Sequence, residues 1–234
     1  MAESAQMANL KLPVGSMVKP VDKMMAPARK PLPGQFVSLL PLDADRDAKR
    51  LYKISHGSAL KSQIWTYLPY GPFADVVDMK YWLQQQAQSA DPLFFTVSEN
   101  NSHKQVGLVS FLAIAPDMRR LELGHIWYGS EAQRTRVNTE TIYLMLSAAF
   151  DQLNYRRVEW KCDALNGRSR AAAIRLGFKY EGLFRQHMIY KGRNRDTSWY
   201  AMLDYEWPTI KKNMERWLYS GEPNLSLHRL NNPA

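Results

Sequence analysis

The apolar positions of this chain change period several times, and each change marks an element. Phe36–Leu42 (FVSLLPL) reads as a strand. Asp43 stands where a helix N-cap belongs. Ala48, Leu51, Tyr52 and Ser55 then fall on one side of a helix running to about His56. Ile64–Phe73 (IWTYLPYGPF) is aromatic, and its two prolines and one glycine stop regular structure. A second helix is expected near Val76–Gln86, with Met79, Trp82 and Leu83 at helical spacing. Three strand signals follow, Leu93–Ser98, Lys104–Ala115 and Arg119–Tyr128, separated by short turns. Turns this short make the three strands antiparallel neighbours.

Gly129-Ser130 breaks that run. Ile142, Met145, Leu146, Ala149 and Leu153 then recur at helical spacing. In Arg157–Asp163, Val158, Trp160 and Cys162 alternate with Glu159, Lys161 and Asp163, the pattern of a strand with one core face. Strand, helix and strand at this length form the crossover that makes two strands parallel. Asn166 is placed to cap a short helix, Gly167–Leu176, which Gly177 ends. Strands Phe178–Tyr190 and Asp196–Trp207 flank a basic turn, Lys191–Arg195. A last helix, about Ile210–Tyr219, precedes a loose end. The fold class is therefore mixed α/β (α+β): a mostly antiparallel central sheet, one parallel crossover in its middle, and flanking helices. A cleft is expected at the ends of the central strands.

Residues 1–34 carry no periodicity and are interrupted by Pro13, Pro20, Pro27, Pro31 and Pro33. They read as a flexible leader, followed by one domain over 35–208 and a C-terminal helix and tail over 209–234. The leader lacks the compact apolar stretch of a secretory signal, and its single Arg and two Ser argue against a transit peptide. One cysteine in 234 residues makes no internal disulfide and suits a reducing, cytoplasmic setting. No apolar run is long enough to span a membrane. The net charge of +9 favours polyanions or phosphorylated ligands in general. It is not gathered into the dense basic stripe of a nucleic-acid binder. The sequence is compatible with a homodimer.

Three stretches carry candidate chemistry. The first is Gln133–Thr139, between a strand and a helix, with Arg134 and Arg136 in it. The free N–H groups of the helix's first turn and its dipole favour an anion there, while the plainer reading is a solvated loop with caps. The second is Leu121-Glu122-Leu123-Gly124-His125. Strict alternation puts Glu122, Gly124, Ile126 and Tyr128 on one face, and Leu123, His125 and Trp127 on the other. A carboxylate in an apolar strand either pairs or works, so Glu122 is a general-base candidate or half of a buried ion pair. His125 reads as a satisfied core histidine. The third is Asn166–Phe178, where Asn166 and Ser169 are at least a cap and its partner. The five histidines show no metal-ligand spacing, so no metal is expected. Trp65, Tyr67, Tyr70 and Phe73 form either core or an apolar wall beside a substrate.

Asn166-x-x-Ser169, Arg175-Leu176-Gly177-Phe178, Glu181-Gly182, Arg185 and Lys191-Gly192-x-x-x-Asp196 resemble the GNAT superfamily of acyl-CoA-dependent N-acyltransferases, in its RimL/RimJ-type branch. The resemblance covers about Phe36 to Trp207. It implies that the two central parallel strands splay apart and admit the pantetheine arm of acetyl-CoA as a co-substrate, without a metal. Carried over, Ile126, Trp127 and Tyr128 would offer backbone to that arm. Arg134, Thr135, Arg136, Val137, Asn138 and Thr139 would hold the pyrophosphate, and Asn166 and Ser169 would lie beside the thioester. Two departures stand out. Arg136 and Asn138 occupy places where the family pattern has glycine and glycine or alanine. Ala173 occupies the place of a tyrosine general acid, which leaves Ser169, one turn earlier, as the substitute.

The mechanism this implies is direct transfer to a primary amine. A backbone N–H near Trp127 or Tyr128 polarises the carbonyl, Glu122 removes the amine proton, and Ser169 helps the sulfur leave. An α-amino group titrates near ~8 and a lysine near ~10.4, so one carboxylate suits an α-amino acceptor better. Peptide N-termini or aminoacyl small molecules are the expected acceptors. Trp65, Tyr67 and Tyr70 would wall the acceptor side, and Arg185 or the basic turn Lys191–Arg195 would bind an acidic or carboxylated acceptor. The rival class is a non-catalytic basic module that binds ribosome or RNA.

Overall fold

The computed structural model describes residues 12–21 and 23–233. The part of the leader before residue 12 lies outside the described residues. Strands β1 (Leu32–Pro33) and β2 (Val37–Pro41) form a tight corner. Helix α1 (Ala44–Ser55) starts where Asp43 accepts from the N–H groups of Asp45 and Arg46. A short helix α2 (Ala59–Ser62) and a 3₁₀ turn (Gln63–Tyr67) give the aromatic segment more regular structure than its prolines suggest. Both prolines lie beyond that turn, at positions 69 and 72. Helix α3 (Val76–Gln88) is capped by Asp75.

Strands β3 (Leu93–Glu99), β4 (Lys104–Ala115) and β5 (Arg120–Tyr128) form the expected antiparallel meander. Helix α4 (Arg136–Ser147) ends in a single π turn, Ala148–Gln152. It crosses over to β6 (Arg157–Asp163), which pairs parallel with β5. Then come α5 (Gly167–Arg175), β7 (Lys179–Tyr190), β8 (Arg193–Leu203), α6 (Trp207–Tyr219) and α7 (Leu227–Asn231). The eight strands run in the order β1-β2-β3-β4-β5-β6-β8-β7. The second strand of the closing hairpin therefore stops before Trp207, which instead opens α6 with Pro208 beside it. The Trp207 indole donates to Asp151 Oδ1 at 2.8 Å and is buried.

The sheet separates two cores. One face packs Leu121, Leu123, Val158 and Trp160 against α4, α5 and α6. The other packs Phe94, Leu108 and Trp127 against α1, α3 and Trp65. This double burial explains why the central strands read as nearly continuous apolar runs.

Two expectations are corrected. Strict alternation fails in β5 because His125 adopts a left-handed conformation, φ +52°. The register with β4 shifts at this point, from Ser110↔Gly124 to Leu108↔Trp127, as a β-bulge requires. One extra residue swaps the faces: Trp127 joins the second core, with His125 against Phe94, while Tyr128 joins the main core beyond Leu123. The second correction is the C-terminal end, which is docked rather than loose. Leu227 is 2% exposed in the main core. Asn231 and Asn232 donate their amides to the carbonyls of Arg175 and Ile174 at 3.0 and 3.1 Å, capping α5. At the other end, the described leader residues touch the domain too. Tyr155 donates to the Met25 carbonyl at 3.1 Å, and β1 lies inside the stretch read as leader.

Candidate active site

Strands β5 and β6 pair over four residues only, from Arg120↔Arg157 to Leu123↔Trp160. Beyond that, Gly124–Tyr128 stays with β4, and Lys161–Asp163 stays with β8. The two central strands thus part at the bulge and leave a wedge between facing strand edges. The wedge opens toward the loop that starts α4. Gly124 sits at its apex. A Cβ there would lie 2.7 Å from Leu112 Cδ2, too close without a shift, and 3.6 Å from Glu122 Oε1, an ordinary contact, so the missing side chain makes room for Leu112 beside the carboxylate.

Glu122 is 8% exposed. Its carboxylate takes a hydrogen bond and ion pair from Lys161 Nζ at 2.9 Å. Lys161 also reaches Glu159 at 3.1 Å, and Arg157 Nε donates to Glu159 at 2.8 Å. Burial pushes the Glu122 carboxyl above its ordinary value; Lys161 pulls against this, and Glu159 adds to it. Burial acts on Glu159 in the same sense, but Arg157 and Lys161 hold it below the ordinary value. Glu122 is therefore both things the sequence allowed, a buried ion-pair partner and a raised carboxyl. Lys161 was legible only as part of a polar strand face; the signal for it was that this polar face lies on a central strand.

His125 lies between Phe94 and Tyr70, with ring centroids 4.9 and 5.5 Å away. Burial pulls it down to about 4, so it is neutral at pH 7. Its Nδ1 is buried without a hydrogen-bond partner among the described residues.

The loop before α4 is tied down from within. Gln133 Nε2 donates to the Tyr128 carbonyl at 2.9 Å. Thr135 caps the helix, accepting from Val137 N at 3.2 Å and donating to Ala132 O at 2.7 Å. Arg134 is exposed, at φ +63°. Arg136 is exposed too, and its guanidinium lies 5.0 Å from the centre of the Phe36 ring. Asn138 is half-buried with Oδ1 unpartnered. Val137 and Thr139 point into the protein; Thr139 Oγ1 accepts from Arg175 Nη1 at 3.0 Å. The side chains of these two therefore do not face the loop, because the first turn of α4 packs on the sheet. Glu140 does not face it either. It accepts from the N–H groups of Gln35, Phe36 and Val37 at 2.9, 2.6 and 2.7 Å, and from Tyr219 Oη at 2.8 Å.

On α5, Asn166 Oδ1 accepts from Ser169 N at 3.1 Å. The Trp160 indole N–H donates to Ser169 Oγ at 3.0 Å. An indole only donates, so the serine's own hydrogen is left for another acceptor. Ala173 is fully buried in the main core.

Of the aromatic wall, Trp65 is 1% exposed, and its indole donates to Ser55 O at 3.2 Å. It is a core residue, held by His56, Phe73, Tyr70 and Trp127, which corrects its expected place on the substrate side. Tyr70 stacks on Trp82 at 4.2 Å with its hydroxyl sealed from solvent. Tyr67 is half-buried and donates to Leu165 O at 3.2 Å, tying this segment to the turn before α5. Arg185 is exposed on the edge strand β7. Lys191 Nζ donates to the Trp65 carbonyl at 2.7 Å, which uses one of its three N–H donors and ties the hairpin tip to the aromatic segment. Among the described residues no group of His, Cys, Asp and Glu could hold a metal ion, and no helix is long and apolar enough to cross a membrane.

A structure described as a GCN5-related N-acetyltransferase from Brucella melitensis superposes with a TM-score of 0.84 at 38% identity, over 88% of this chain and 96% of that one. An acetyltransferase assigned to the GNAT family, from Chromobacterium violaceum, gives a TM-score of 0.77 at 36% identity, over 84% and 98%. Among curated proteins, YdaF of Bacillus subtilis, whose name assigns it provisionally as a ribosomal N-acetyltransferase, is 29% identical over 101 residues. That match spans 43% of this chain and 55% of YdaF. With the Acetyltransferase (GNAT) domain model matching residues 37–179, the chain belongs to the GNAT acetyltransferase family.

Proposed function

We propose that this protein transfers an acetyl group from acetyl-CoA to a primary amine, with an α-amino group of a peptide N-terminus or an aminoacyl small molecule as acceptor. The observation that carries this reading is the wedge between β5 and β6, with Gly124 at its apex, the Glu122 carboxylate on a paired position two residues before it, and the first turn of α4 at its mouth. Unpaired strand edges suit the two amides of a pantetheine arm. Backbone of Ile126, Trp127 and Tyr128 lines that edge. The N–H groups of α4's first turn, with Arg134, suit the pyrophosphate. Arg136 does not crowd the approach as long as it stays on Phe36.

The roles follow from the contacts. Glu122 accepts the proton of the attacking amine, directly or through water. Its raised carboxyl makes it a stronger base than an exposed glutamate. Ser169, held by the Trp160 indole, keeps its proton and donates a hydrogen bond to the departing thiolate. Asn166 fixes Ser169 through the backbone. A backbone N–H at the bulge polarises the thioester carbonyl. The α-amino acceptor is favoured over lysine, because a lysine amine costs about 3 kcal/mol more to deprotonate at pH 7. The RimL/RimJ resemblance points the same way.

The direct test is thermal unfolding with and without acetyl-CoA, followed by transfer assays over a panel of peptides, aminoacyl compounds and polyamines. Saturating acetyl-CoA is expected to raise Tm by several degrees. No shift removes the transferase reading and leaves a non-catalytic basic binding module.

A further inference from the structure

Most charged groups on the Glu122 face of the sheet are matched. Lys161 pairs with Glu122 and Glu159, and Arg157 pairs with Glu159 and Glu181. Arg195, on β8, is not. It is 8% exposed, and among the described residues no carboxylate forms an ion pair with it. Its hydrogen bond runs from Nε to Thr197 Oγ1 at 3.1 Å, and the Tyr190 ring centre lies 4.7 Å from its Cζ. Neither terminal nitrogen has a partner among the described residues, and neither is sealed from solvent. A guanidinium with its stem and Nε fixed and its fork open is built to meet an anion. A buried cation is otherwise costly to leave unmatched.

Its position ties it to the reaction. Along β8, Arg195, Thr197 and Trp199 share a face, and Lys161 Nζ lies 3.8 Å above the Trp199 ring while holding Glu122 at 2.9 Å. The charge of Arg195 acts on Glu122 itself. The hairpin tip beside it is pinned to the aromatic segment by Lys191 on the Trp65 carbonyl. Two buried carboxylates, Glu122 and Glu159, stand on the same face, so a singly charged anion suits the place better than a doubly charged phosphate.

We propose that Arg195 is the acceptor-recognition residue, its open fork taking a carboxylate carried by the amine that is acetylated. This rests on the transferase reading and narrows it: the acceptor is an amino compound with a carboxylate close to its α-amino group. That carboxylate belongs either to a free amino acid or to an acidic side chain near a peptide N-terminus. Arg185, exposed on β7, and Lys191, already engaged, are not needed for it.

The test uses matched acceptors with the full-length protein and acetyl-CoA. One arm compares alanine with alaninamide; the other compares Ala-Asp-amide with Ala-Asn-amide. The wild type is expected to favour the carboxylate member in one arm by about 10- to 100-fold in kcat/KM, mainly through KM. The arm that shows the preference names the source of the carboxylate. In Arg195→Gln the ratio falls toward one, and Arg195→Lys retains part of it. Should Arg195→Gln fail to fold, the partial ratio in Arg195→Lys carries the test. A wild type without preference in either arm overturns the assignment. So does an Arg195 variant that slows both members equally, which marks a structural or carbonyl-polarising role. Absence of transfer to every amine counts against the transferase reading and takes this assignment with it; transfer with unchanged ratios removes this assignment alone.

Discussion

At the residue scale, the central question is what sets the proton affinity of Glu122. Burial raises it and Lys161 lowers it. Replacing Lys161 with Met removes the opposing cation and leaves Glu122 facing Glu159 across paired strand positions. The acid limb of the kcat/KM profile should then move to higher pH by about 1 unit or more. Lys161→Arg should hold the limb near its original place. A profile that does not move in Lys161→Met shows that Glu122 is not the titrating base. Glu122→Gln should lower kcat by about 10²- to 10⁴-fold and abolish that limb. Its stability has a sign of its own. The folded carboxyl holds its proton more tightly than the unfolded one, so ionising Glu122 subtracts stability as pH rises from the ordinary carboxylate value through the folded one. Denaturation at several pH values should therefore show the Gln variant gaining on the wild type as pH rises across that window. The burial of Glu122 and its need for a partner were legible in the sequence, because a lone acid in the apolar strand LELGH must pair or work. Its partner was not, because Lys161 lies 39 positions away by number and only the parallel register brings it there.

At the element scale, the bulge in β5 decides the site, and the sequence hides it. His125 is not a glycine, and although histidine is enriched in the left-handed conformation, most histidines do not adopt it, so the residue type alone does not announce the bulge. A single inserted residue inverts the parity of everything after it, which is why strict alternation placed Trp127 and Tyr128 on the wrong faces. The structure does carry one visible constraint, at Gly107 on the neighbouring strand. A Cβ there would fall 2.4 Å from the Trp127 carbonyl oxygen, a backbone atom that cannot turn aside. Gly107→Ala should destabilise the protein by about 3 kcal/mol, measured by urea denaturation, and weaken acetyl-CoA binding by disturbing the bulge. Gly124→Ala should cost less, since it meets the end of the Leu112 side chain. The helix that starts beside the wedge has a separate duty. Glu140, one turn into α4, collects three backbone N–H groups from the β1–β2 corner and the Tyr219 hydroxyl from α6. The sequence does not say which way Glu140 faces, because its backbone partners lie more than a hundred positions upstream and Tyr219 lies 79 positions downstream. Glu140→Ala leaves these four donors without their acceptor and should cost about 3–5 kcal/mol in the same experiment.

At the scale of the whole molecule, the end of the chain reaches back to the chemistry. The strand and helix order was readable from periodicity over most of the domain, because double burial gives long apolar runs and short turns fix antiparallel neighbours. The tail was not readable, since residues 220–233 show one turn of helix and little apolar content. What docks them is a set of polar contacts to backbone. The Asn213 amide donates to the Leu230 carbonyl at 2.9 Å, Trp217 donates to Leu225 O at 3.0 Å, and Asn231 and Asn232 cap α5. Helix α5 carries Ser169 at its start and Arg175 at its end, where Arg175 holds Thr139 of α4. Removing residues 221–234 would uncap α5, expose the core around Leu227 and loosen the helix on which Ser169 is fixed. The truncated protein should lose about 2–4 kcal/mol from the buried leucine and the lost caps. It should also transfer more slowly at saturating acetyl-CoA, with Glu122 chemistry and its pH limb unchanged. A second variant separates the two effects. Replacing both Asn231 and Asn232 with Ala keeps Leu227 in place, so it should lower kcat with a smaller loss of stability. Equal kcat in that variant and the wild type would show that the tail supports the fold without supporting the site.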